Sequence, residues 1–122
     1  PRMPPQTWKE VKVEVETRPP QVTHGMNEFL VIASIGRRPA HDLIVSVQIM
    51  GSGRWQQSIQ DGDVGVYRRS LLVKEPKSEV LLVRLEYGEQ QKVLEFPLGS
   101  QYVPGSEESA EGSPANSEPS NN

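Results

Sequence analysis

The stretch Leu43-Ile44-Val45-Ser46-Val47-Gln48-Ile49-Met50, closed by Gly51-Ser52-Gly53, decides the fold class. Leu43, Val45, Val47 and Ile49 alternate with Ile44, Ser46, Gln48 and Met50. That two-residue period is the mark of a strand with one face on a core. Upstream, residues 28–34 form a β-branched and aromatic run, and Val11, Val13 and Val15 alternate with Lys12, Glu14 and Glu16 until Pro19-Pro20 stops the ladder. Downstream, residues 55–59 predict a short, weaker strand, and Asp61-Gly62-Asp63 predicts a sharp turn. Val66–Val73 predicts a strand closed by Lys74-Glu75-Pro76-Lys77, and Val80–Tyr87 a central one. Tyr87-Gly88-Glu89-Gln90 reads as a hairpin turn into residues 91–96.

About seven short strands with Gly- and Pro-bearing turns between them predict an all-β protein, an immunoglobulin-like β-sandwich. No run sustains a 3.6-residue period, so helices should be absent or trivial. The predicted core is Leu43, Val45, Val47, Tyr67, Leu81, Val83, Leu85 and Val93. Residues 8–98 form the expected domain. Residues 1–7, with Pro1, Pro4 and Pro5, read as a juxtamembrane or tag-derived linker. Residues 99–122, rich in Ser, Glu, Pro and Asn, read as a tail that buries too little to order, with disorder expected over 105–122.

Charge follows the same division. All 13 basic residues lie within residues 1–98, whereas four of the 16 acidic ones, Glu107, Glu108, Glu111 and Glu118, lie in the tail. The near-neutral body offers no concentrated basic face for nucleic acid. Without cysteine there is no disulfide, thiolate metal site or cysteine nucleophile. No stretch reaches the roughly 20 apolar residues of a membrane span. Pro1 in place of a methionine points to the removal of a signal peptide, a membrane anchor or a purification scar.

Residues that carry chemistry are sparse. His24-Gly25-Met26 places an imidazole two residues from a thioether, a donor pair that suits copper, with His41, Met3 and Met50 as further ligand types. The plainer reading is a turn histidine beside a core or edge methionine, and no cofactor is expected. Asp61 and Asp63 flank Gly62 without the spacing of a Ca²⁺ loop and read as turn residues. Gly51-Ser52-Gly53 lacks the Lys-Ser/Thr ending and the helix of a phosphate loop, and no serine sits in Gly-x-Ser-x-Gly. A non-enzyme is therefore expected. Arg68 and Arg69, adjacent on a strand, must point to opposite faces. They read as edge protection or, more sharply, as contacts to a partner or to anionic headgroups. The segment 60–69 holds the densest information: Gly62 and Gly65 for backbone shape, Asp61 and Asp63 as acceptors, Arg68 and Arg69 as donors, and Tyr67 with nearby Trp55 as aromatic surface. Trp55, Asp61, Asp63, Tyr67, Arg68 and Arg69 are the expected partner-binding residues. The plainer reading is a tight loop entering a strand with Tyr67 buried.

Thr17-Arg18-Pro19, the run from Gly25 to Val31, Gly36-Arg37-Arg38-Pro39-Ala40-His41-Asp42 and Gly62-Asp63-Val64-Gly65-Val66-Tyr67 together resemble the FixH-like and YtkA-like domains, small bacterial proteins. The resemblance spans residues 13–98, and its motifs are short and mostly structural. It implies an immunoglobulin-like sandwich on the outer side of the bacterial cytoplasmic membrane, tethered or secreted, with the membrane helix of such proteins lying before Pro1. Some relatives are associated with haem–copper oxidase assembly and with copper handling. The dense Met/His cluster of a copper handler is missing here. The leading expectation is a periplasmic, non-enzymatic assembly or interaction module with a membrane-associated protein partner. A copper-handling accessory using His24 and Met26 is one alternative. A sugar- or surface-binding module stacking its ligand on Trp55 and Tyr67 is the other.

Overall fold

A computed structural model describes residues 3–60 and 62–102. Within them the chain forms β1 (Gln6–Trp8), β2 (Val11–Arg18), β3 (Gly25–Ile35), β4 (Arg38–Pro39), β5 (Ile44–Ile49), β6 (Gln56–Gln57), β7 (Ile59–Gln60), β8 (Val66–Val73), β9 (Val80–Tyr87) and β10 (Gln90–Pro97), followed by a 3₁₀ turn at Leu98–Tyr102. One sheet runs β1-β2-β3-β8-β7, with β4 paired to the end of β3, and the other runs β10-β9-β5-β6. Each of these pairings is antiparallel. Lettering β2, β3, β5, β7, β8, β9 and β10 as A to G gives sheets A-B-E-D and G-F-C, the strand order of an immunoglobulin-like sandwich.

The alternation seen in the sequence becomes the two inner faces. Val11, Val13 and Val15 of β2, Phe29, Val31 and Ala33 of β3, and Leu71 and Val73 of β8 meet Val45, Val47 and Ile49 of β5 and Leu81, Val83 and Leu85 of β9. Each fully buried aliphatic side chain contributes about 1.5–3 kcal/mol of transfer free energy. Tyr67 also lies in this core, and Leu43 packs half-buried at its margin.

Four expectations need correction. Val93 is not core: it is 39% exposed and sits opposite Arg84 on the outer face, while Leu94 and Phe96 supply the inward face of β10. Residues 3–7 are not a linker, because Met3 is only 2% exposed and Gln6 pairs with Val13 in the first sheet. Pro4 and Pro5 precede β1, so their missing donors cost the ladder nothing. The folded body also runs past residue 98, since Leu98 and Gln101 are both buried. Finally, residues 55–59 are not one strand. Gln56–Gln57 pairs with β5, Ile59–Gln60 pairs with β8 in the other sheet, and Ser58 marks the crossing with its N–H on Val45 O at 2.7 Å. Asp61, and the tail with its expected disorder over 105–122, lie outside the described residues.

Candidate functional site

The segment 60–69 serves chiefly as a brace for the loop between β4 and β5. Gly65 has a φ of +81°, and a Cβ built on it would stand 2.6 Å from Pro39 Cβ and 3.0 Å from Ala33 O. Only glycine fits that approach, which lets Ala33 N–H reach Gly65 O at 2.9 Å. Gly65 N–H donates to Gln60 Oε1 at 2.6 Å, and Gln60 Nε2 donates to His41 O at 3.2 Å. From within the core, the Tyr67 hydroxyl donates to Ala40 O at 2.7 Å and accepts from Leu43 N–H at 3.4 Å. Burial raises the Tyr67 pKa above its ordinary value of 10.0, the Leu43 N–H opposes that rise, and the Asp42 charge adds to it. Tyr67 is 2% exposed, which corrects its expected role in partner contact or sugar stacking: its ring has no surface to offer. Asp63 is exposed and lines a shallow depression with Gly62, Val64, Gln60 and His41.

The remaining partner candidates diverge. Arg68 lies on the outer face of the first sheet, opposite Leu30 and Ile59, with Nη1 3.9 Å from Glu28 Oε2. Arg69 faces inward at the edge, its Nε and Nη2 donating to Gln56 Oε1 at 3.0 and 2.6 Å. It joins β8 of one sheet to β6 of the other through two of its donors. The ligand types of the copper reading are also separated. His24 precedes β3 and His41 follows β4, beyond the far end of that eleven-residue strand. Met26 is on the outer face of the first sheet, Met50 follows β5 in the second, and Met3 is buried.

Besides the exposed Asp63 and the outer-face Arg68, Trp55 keeps a surface role. It lies over Arg84 of β9, with the guanidinium carbon 4.6 Å from the ring centroid, within cation–π range. Arg84 also lies near Glu86, Nε to Oε2 at 3.2 Å, and reaches Ser46 Oγ only at 3.5 Å. Its Nε is buried and makes no aligned hydrogen bond among the described residues. Around this pair the outer face of β10-β9-β5-β6 exposes Ile44, Met50 and Val93.

A cleft of about 540 Å³ opens at one end of the sandwich, between the two sheets. Its lining includes Val11, Ile35 and Leu43 from the margin of the core, with Lys9, Arg38 and the His41–Asp42 pair among its polar groups. His41 Nδ1 lies 2.6 Å from Asp42 Oδ1.

No family model, curated protein or solved structure gives a significant match to this chain.

The two concentrations of surface chemistry are therefore the Trp55–Arg84 face and the end cleft. Sequence reasoning found Trp55 but missed Arg84, which sits inside the apolar run of β9. It also missed the cleft, whose lining joins three separate stretches of the chain, 9–11, 35–43 and Tyr87. The density of turn signals in 60–69 marked the brace and not the loop that it holds.

Proposed function

We propose that this domain is a non-enzymatic interaction module on the extracytoplasmic side of a bacterial membrane, holding a membrane-associated protein partner on the outer face of β10-β9-β5-β6. One observation carries the reading: Arg84 is stacked on Trp55, half-buried, and under-supplied with hydrogen-bond acceptors. Tryptophan and arginine are the residue types that dominate binding hot spots. A guanidinium already stripped of part of its water and fixed against a ring loses little further freedom when a partner carbonyl or carboxylate meets it. Ile44, Met50 and Val93 supply apolar contacts around that centre. The resemblance to FixH-like and YtkA-like domains supports the outer side of the cytoplasmic membrane as the location, and haem–copper oxidase assembly as the setting.

Capture from solubilised cell envelopes tests the reading. Trp55→Ala and Arg84→Gln should each abolish retention of the partner seen with the wild-type domain, with melting temperatures within a few degrees of it. Met26→Lys, on the outer face of the other sheet, should retain the partner. Loss with Met26→Lys and retention with both other variants would place the interface on the opposite sheet.

A further inference from the structure

The cleft at the open end of the sandwich is built from groups that the interaction face does not use. Its apolar floor is Val11 of the buried core together with Ile35 and Leu43, which are only partly covered where the sheets part. A volume of about 540 Å³ falls within the range of small-molecule sites. The wall formed by residues 40–43 is held rigid by Tyr67 from inside and by Gln60 from the side. A loop fixed by hydrogen bonds from its own scaffold presents its side chains with little ordering cost left for a ligand to meet.

The charges around the cleft are unequally satisfied. Asp42 is occupied by His41. Arg38 makes no ion pair among the described residues, and neither does Lys9, whose ammonium lies 5.9 Å from the Trp8 ring centroid. Glu10, next to Lys9 in the same turn, is the one acid of the lining left without a partner among the described residues. Lys9 adopts a φ of 55°, a left-handed conformation that glycine or asparagine would take more cheaply in this two-residue β1–β2 turn.

We infer that the cleft binds a small amphipathic carboxylate, its apolar body on Val11, Ile35 and Leu43 and its carboxylate on Arg38 and Lys9. The guanidinium fork of Arg38 matches the two oxygens of a carboxylate, and Lys9 adds a point charge. His41 engages Asp42, so Glu10 is the one unengaged acid against which Arg38 and Lys9 must hold the anion. The site is independent of the interaction face, so Trp55→Ala should leave it intact.

Amide chemical shifts followed by NMR during titration with octanoate and with phenylacetate test the inference on the full chain, with octanamide and octylammonium as neutral and cationic counterparts. Octanoate should shift Val11, Ile35, Arg38, His41 and Leu43 saturably, and should bind about tenfold or more tightly than octanamide. Arg38→Gln should weaken octanoate binding by about tenfold while leaving octanamide binding unchanged. Lys9→Gly should also weaken octanoate binding while leaving the melting temperature unchanged or raised, because the turn is relieved. Equal binding of octanoate and octanamide, shifts centred on Arg84 and Ser46, or no saturable shift with either acid would overturn it.

Discussion

Removing the hydroxyl of Tyr67 takes a donor from Ala40 O and an acceptor from Leu43 N–H, both in the loop that walls the cleft. Tyr67→Phe should therefore cost about 1–2 kcal/mol, measured by urea denaturation near neutral pH. The phenol also sets a pH dependence. Its pKa is raised in the fold, mainly by burial, so above about pH 10 the unfolded chain releases a proton that the native state keeps. Its contribution is complete below that pH and is lost as pH rises through the folded pKa. The alkaline decline in wild-type stability should be shallower in Tyr67→Phe, and equal slopes would mean that Tyr67 does not govern it. Gly65 is a second single-residue support. Gly65→Ala combines a left-handed backbone with collision against Pro39 Cβ and Ala33 O, whereas Gly62, with a φ of +89°, has open space around it. Gly65→Ala should cost about 3 kcal/mol and Gly62→Ala about 1 kcal/mol, compared by thermal melts of the two variants. At this scale the chain was partly legible. The glycines and Tyr67 stood out in 60–69, but sequence cannot show that their contacts point inward to Pro39 and Ala40.

Among the strands, legibility followed the strength of the period. β5 alternates without interruption, and its inward set, Val45, Val47 and Ile49, is the one that its spacing predicts. β10 offers Val93, Leu94 and Phe96, and the charges of Lys92 and Glu95 fall on opposite parities. An edge strand tolerates a charge on either face near its ends, so the pattern alone did not fix the parity, and pairing with β9 does. β6 and β7 have two residues each, too few to express any period, which is why a crossing between sheets looked like one strand. The contrast between Val47 and Val93 makes this measurable. Val47→Ala should cost about 1–3 kcal/mol through lost burial and a residual cavity. Val93→Ala, on an exposed outer face, should stay within about 0.5 kcal/mol of wild type in the same urea titrations. Similar losses at both positions would mean that β10 is rotated relative to its observed register.

Across the whole molecule, the two ends of the sandwich are finished differently, and this separates a closed end from one available to a ligand. The cleft end is bounded by turns that leave Ile35 and Leu43 only partly covered. At the other end the chain folds back after β10: Leu98 is fully buried, and its N–H donates to Glu79 O at 3.0 Å. Gln101 then enters between the β2–β3 loop and the core, 2% exposed. Its Oε1 accepts from Val22 N–H at 3.1 Å, and its Nε2 donates to Thr17 Oγ1 at 3.2 Å and to Pro20 O at 3.4 Å. The Tyr102 hydroxyl donates to Val22 O. One amide thus ties the loop carrying Pro19 and Pro20 to the end of the sandwich, beside the loop's own bond from Thr17 Oγ1 to Pro20 O at 3.0 Å. Residues 99–102 follow the Pro97 that closes the last strand and open with Gly99-Ser100, so sequence alone assigned this plug to the tail. A chain ending at Leu98 should be less stable than one ending at Tyr102 by about 1–3 kcal/mol, because it leaves Val22 N–H and Val22 O without their partners near the core, while Thr17 Oγ1 and Pro20 O keep only the bond between them. Paired urea titrations of the two truncated chains measure the difference directly, and Gln101→Ala in the longer chain should reproduce most of it. If the two chains unfold together, Gln101 only rests on the end of the sandwich and the loop is satisfied by solvent.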